Sequence, residues 1–217
     1  MQKLMKWAAI GLLAMLTGCS QPSTGGSVAG EQQDRVQDST DLADLISSGS
    51  VSLVRASGNG ASSGNSIDAV LRNNTEREIE VDVFMRQPVF LTNTGVGQNM
   101  IASMVVGADG GYMQNGERSV VALKPSEQFN ASMVAYCADF EKENPTGAET
   151  FAVAQAPAHL APIITRINEY VLANPNANVT AAAQVAIWMA QNKSPDEIAK
   201  KFEFTPADEQ LAHQFLQ

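Results

Sequence analysis

Ile79, Val81 and Val83 alternate with Glu78, Glu80 and Asp82. This period of two predicts a β-strand with one face buried and one in water. Ile67, Ala69 and Leu71 alternate with Asp68, Val70 and Arg72 just upstream. Asn73-Asn74-Thr75-Glu76 lies between the two runs as a turn, so the pair predicts a hairpin. Val51–Arg55, Val89–Leu91, Met100–Val106, Ser119–Leu123, Glu127–Ala138 and Phe151–Gln155 continue the strand series. Turn-rich stretches at 92–98, 107–118, 124–126 and 141–150 separate them, and the glycines of Ser57–Asn65 mark a further loop. Asp41–Ser48 predicts a short helix leading in.

After Pro157 the period lengthens. Leu160, Ile163, Ile164, Ile167 and Val171 recur at helical spacing, and Asn174-Pro175-Asn176 ends that run. Val179, Ala182, Ala183, Ala186, Ile187 and Ala190 mark a second, alanine-rich helix. Ser194-Pro195-Asp196-Glu197 has the form of a capping box with proline in the first turn, and Thr205-Pro206-Ala207-Asp208 repeats the device. The expected fold is therefore mainly β with α. An antiparallel β-sandwich spans 41–155, and a small helical subdomain, 156–217, packs on it because so short a helical segment makes a poor core alone. The strand layout resembles that of immunoglobulin-like exported domains, without their disulfide.

The N-terminus has a different grammar. Lys3 and Lys6 precede an apolar run from Trp7 to Thr17, the length of a signal-peptide core and too short for a bilayer, which needs about 20 residues. It ends in Leu16-Thr17-Gly18-Cys19, which resembles the lipobox of bacterial lipoproteins. The resemblance implies that 1–18 is a cleaved signal peptide and that Cys19 carries diacylglycerol, with a further acyl chain on the new amino terminus. Two or more chains hold a protein stably to a membrane where one does not. Ser20, in place of Asp, implies the outer rather than the inner membrane in a two-membrane envelope. Residues 19–40 are rich in Ser, Gly and Gln and read as a flexible tether.

Charge and cysteine content narrow the functional classes. The chain carries a formal charge of −9, and loss of Lys3 and Lys6 with the signal makes it −11. An acidic exported domain is a poor ligand for nucleic acid or for anionic lipid. With Cys19 acylated, Cys137 has no partner for an internal disulfide. His159 and His213 stand apart from any cysteine cluster, so no zinc or haem site and no cofactor is expected.

Few segments carry chemistry. Gly60-Ala61-Ser62-Ser63-Gly64 matches G-x-S-x-G, but a nucleophile elbow needs a strand before it and a helix after it. Here it runs into a strand and reads as a loop. Asp109-Gly110-Gly111 lacks the spacing of a calcium loop and reads as a turn. Cys137 follows Tyr136 at the end of a predicted strand. A small buried hydrophobe is one reading of it. A reactive thiol is another, though no Lys, Arg or His flanks it in the sequence. A third comes from Tyr136-Cys137 taken with Ala183-Gln184-Val185-Ala186-Ile187-Trp188. The two segments resemble those of bacterial surface thioester domains, in which a Cys is joined to the Gln of a T-Q-x-A-x-W segment. The resemblance implies an internal Cys137–Gln184 thioester that captures amines on a partner surface. The chain departs from the pattern in having Ala183 where the Thr stands. Gln184 and Trp188 also lie four apart, on one face of a helix.

The function expected from the sequence is that of a non-enzymatic lipoprotein of the cell envelope, anchored to the membrane at Cys19. It would bind or help assemble an envelope or surface protein partner, through polar loops such as Ser57–Asn65 and Gly107–Arg118. Covalent capture through Cys137 and Gln184 is the alternative.

Overall fold

The computed structural model describes residues 39–217; Cys19, the signal segment and nearly all of the expected tether lie outside them. Its elements in chain order begin with helix α1 (Leu42–Ser47). Nine strands follow: β1 (Val51–Gly58), β2 (Ser63–Asn73), β3 (Ile79–Asp82), β4 (Phe84–Asn93), β5 (Met100–Gly107), β6 (Met113–Asn115), β7 (Arg118–Leu123), β8 (Gln128–Cys137) and β9 (Phe151–Ala154). Four helices complete the chain: α2 (Ala161–Ala173), α3 (Thr180–Met189), α4 (Pro195–Ile198) and α5 (Pro206–Phe215).

The strands form two antiparallel sheets. The long sheet has the order β1-β2-β8-β5-β4-β9 and the short one β3-β7-β6. The chain is mainly β with helices, as its periodicities predict. The long sheet, however, curls until its two ends meet, with a bridge between Ser57 and Thr150, and is barrel-like rather than one leaf of an open sandwich. Register shifts in β1, β2, β4 and β5 accompany the curl, since bulges bend a strand and raise its twist.

The hairpin expected between the strands around 67–71 and 79–83 does not form. β2 pairs with β1 and β8, whereas β3 pairs with β7 in the other sheet. Asn73 is the reason. It is fully buried, its amide donates to the carbonyls of Arg77 and Leu123, and its oxygen accepts from the Thr75 N–H and hydroxyl. These bonds turn the chain out of the long sheet into the short one. β3 keeps the alternation read from its sequence: Ile79 and Val81 are buried, while Arg118 of β7 reaches Asp82 at 2.7 Å and Glu80 at 3.6 Å on the outer face.

β5 and β8 are buried along most of their length, so both faces are covered. α2 packs on β4 and β5, and α3 on β8 and β2. Asp41 caps α1 at the Ala43 N–H, and its other oxygen accepts from Arg86 and Gln87 at 2.6 and 3.1 Å, holding the irregular part of β4. From α2, buried Asn168 donates to the carbonyls of Met85 and Ser103, each at 2.9 Å. Sheets and helices share one hydrophobic core. Both expected capping boxes are present, at Ser194/Glu197 and Thr205/Asp208.

Candidate functional site

α3 is hydrophobic nearly all round. Every residue from Ala182 to Trp188 is buried, the pattern of a helix inside a core rather than on its edge. The small side chains of Ala182, Ala183 and Ala186 let its backbone approach the sheet. Gln184 is the one polar residue in that run, and it is 0% exposed.

Its carboxamide meets the end of β8. Oε1 accepts from the Cys137 N–H at 2.9 Å, and Nε2 donates to the Cys137 carbonyl at 2.9 Å. The two residues singled out in the sequence, 47 positions apart, are thus in direct contact. The contact runs through the Cys137 main chain. The sulfur faces Met100 Sδ at 3.6 Å and Asn144 Oδ1 at 3.8 Å. The same N–H also reaches the Ser62 carbonyl at 3.0 Å. Burial pushes the Cys137 thiol up to about 12, and the Asp139 carboxylate adds to the shift. The neighbouring Tyr136 hydroxyl is likewise pushed up to about 12 by burial, with a hydrogen bond to Ser103 opposing it. At neutral pH the sulfur is therefore a protonated thiol, a poor nucleophile until something removes its proton.

The loop after β8 closes over this point. Gly58 lies against Pro145 so tightly that a Cβ there would meet the Pro145 carbonyl at 2.8 Å. The Gly60 N–H donates to that same carbonyl, and the Gln98 N–H to the Glu143 carbonyl at 3.0 Å. Glu149 accepts from the N–H groups of Val96, Gly97 and Thr146, which hold its carboxyl below the usual carboxylate range. Held in this way, the loop places Asn144 Oδ1 where the Cys137 thiol and Gln98 Nε2, at 3.4 Å, both approach it.

Beside the pair opens a cleft of about 220 Å³, lined by Ser62, Gln98, Phe140, Asn144, Trp188 and Phe202, with Lys142, Glu143 and Lys201 around it. Trp188 meets Phe140 and Phe202 edge to face, at centroid distances of 5.2 and 5.5 Å. Lys193 and Lys201 sit over the Phe140 ring at 4.9 and 4.8 Å. Glu141 binds both ammonium groups, and Lys193 holds its carboxyl below the usual range. Two buried polar atoms here have no hydrogen-bond partner: Gln98 Oε1 and Trp188 Nε1.

Other sequence candidates stay apart from this site. Gly60–Ser62 lies in the β1–β2 connection, and Ser63 and Gly64 already belong to β2, with no helix after them. Asp109 closes a turn on the Gly111 N–H. His159 and His213 are exposed, and His213 pairs with Glu209 at 4.0 Å. Among the described residues no group of three or more His, Cys, Asp or Glu side chains is arranged to hold a metal ion, and no helix is long and apolar enough to cross a membrane. Gln98, Asn144 and Phe140 have no signal in the sequence, because they sit on turns and loops where no period singles them out. No family model, curated protein or solved structure matches the chain.

Proposed function

We propose that this protein is a lipid-anchored lipoprotein of the cell envelope whose folded domain is a non-enzymatic binding or assembly module. The observation that carries the anchor is the Leu16–Cys19 motif behind a basic and then apolar leader. The resemblance of the strand layout in the sequence to immunoglobulin-like exported domains supports binding by analogy of architecture alone. Replacing Cys19 by Ala is expected to move the protein from the detergent phase to the aqueous phase in a phase-partition assay. A Cys19→Ala protein that stays with detergent would refute the anchor.

A second reading, covalent capture, is favoured by the contact between Gln184 and Cys137. In that chemistry the Cys137 sulfur bonds to Gln184 Cδ, and Nε2 leaves as ammonia, carrying the thiol proton. An amine of a partner then attacks the same carbon, an amide forms and the thiol is restored. The first step requires the Gln184 carboxamide to turn from the Cys137 main chain to the sulfur. Intact mass decides the point. A mass one ammonia below that calculated, restored in the Cys137→Ala protein, supports the thioester. An unshifted mass with a thiol titratable on denaturation leaves Gln184 as a clamp between α3 and β8.

A further inference from the structure

The cleft beside Cys137 contains an unusual pair. Gln98 and Trp188 each expose 3% of their surface, and each has a polar atom without a partner. One atom is an acceptor and the other a donor, and both residues line the same cleft. Leaving a buried polar group unpaired costs more than an average hydrogen bond returns, so two in one place call for a ligand or an ordered water. The surrounding charges balance as a set: Lys142 pairs with Asp139 at 3.2 Å, Lys193 and Lys201 share Glu141, and Glu143 adds a third carboxylate. A matched rim gives no preference for an ion. An ammonium would leave the indole N–H unpaired, and a carboxylate would leave Gln98 Oε1 unpaired. A neutral planar group with one donor and one acceptor matches both in kind. Neither atom is exposed in the domain alone, so the Gln98 and Trp188 side chains must turn towards the ligand, for which the rings of Phe140, Trp188 and Phe202 offer flat apolar walls.

We propose that this cleft is a recognition site for an amide group, either a small carboxamide or a peptide unit of a partner. The inference is independent of the covalent reading, since it uses neither the sulfur of Cys137 nor the carbon of Gln184.

Trp7 and Trp188 are the two tryptophans of the chain. In the lipid-bearing protein held in detergent, cleavage before Cys19 removes Trp7, and in uncleaved protein Trp7→Phe does the same, so the Trp188 indole N–H is a single resonance. Titration with acetamide is expected to move it downfield, saturably. N,N-dimethylacetamide, which has no N–H for Gln98, should bind about tenfold more weakly, the worth of one hydrogen bond to a buried acceptor. Methylammonium and acetate should bind more weakly than acetamide. Gln98→Leu should abolish the difference between the two amides. The comparison of ligands on the unaltered site stands even if that variant folds poorly. A blocked Gly-Gly peptide that binds more tightly than acetamide assigns the site to a peptide partner; equal or weaker binding assigns it to a small amide. An indole resonance that acetamide leaves in place, or that both amides move alike, overturns the proposal.

Discussion

Gln184 can be tested by two substitutions that separate shape from hydrogen bonding. Gln184→Leu keeps approximate volume in a site with no exposure but removes both bonds to the Cys137 main chain. The Cys137 N–H retains the Ser62 carbonyl at 3.0 Å, so the larger loss falls on the Cys137 carbonyl. One lost bond at about 1 kcal/mol and one stranded acceptor at about 1–3 kcal/mol together predict destabilisation of about 2–4 kcal/mol. For a domain of this size, at about 2–4 °C per kcal/mol, that is about 4–16 °C in Tm. Gln184→Glu behaves differently. Its carboxyl can donate to the Cys137 carbonyl only when protonated, so its pKa in the folded state must rise above the unfolded value of about 4.3. The native state then binds more protons than the unfolded state. Stability is therefore full below about pH 4.3 and is lost as pH rises towards the folded pKa, by about 1.4 kcal/mol per unit. Denaturant unfolding followed by circular dichroism across pH measures both variants. A Gln184→Leu protein within about 0.5 kcal/mol of the parent, or a Gln184→Glu protein with the parent's pH profile, would refute the clamp.

Asn168→Leu strands the carbonyls of Met85 and Ser103 and should cost about 2–4 kcal/mol in the same unfolding assay; a loss under about 1 kcal/mol would mean that those carbonyls find other partners. If Cys137 is unjoined, its thiol should resist a thiol reagent in the native protein and react fully once denatured, because it is buried with its pKa pushed up to about 12; fast native labelling would contradict this. Glu149, whose carboxyl is held below the usual range by three N–H groups, should contribute stability above the unfolded value of about 4.3 that is lost as pH falls through its folded pKa. Glu149→Gln should flatten that acid limb of the stability curve, and an unchanged limb would show that the carboxylate is not what ties the 93–99 and 141–150 loops.

Local patterns settled the elements. The period of two at 79–83, the helical spacing after Pro157 and the two capping boxes all depend on residues within one turn or strand of each other. The sequence shows them because nothing distant is needed. Pairing is another matter. β2 and β3 lie next to each other in the chain and yet enter different sheets, because Asn73 finds partners at Arg77 and Leu123. No property of residues 67–83 alone shows that Leu123 is near. The curl of the long sheet likewise rests on contacts between its first and last strands.

The candidate site divides in the same way. Tyr136-Cys137 and the polar Gln184 inside an apolar helix could be picked out in the sequence, since a polar residue in such a run must find a partner or be very costly. Which partner it finds, and through which atoms, is a matter of tertiary geometry: the carboxamide meets the Cys137 main chain, and the sulfur meets Met100 and Asn144. Gln98, Asn144 and the orphaned Trp188 N–H became visible only when the 141–150 loop was placed across the end of β8. Loop residues carry no period, and their polarity is ordinary in the sequence. Only burial, which a whole fold imposes, makes an unpaired oxygen or N–H there costly enough to point to a ligand.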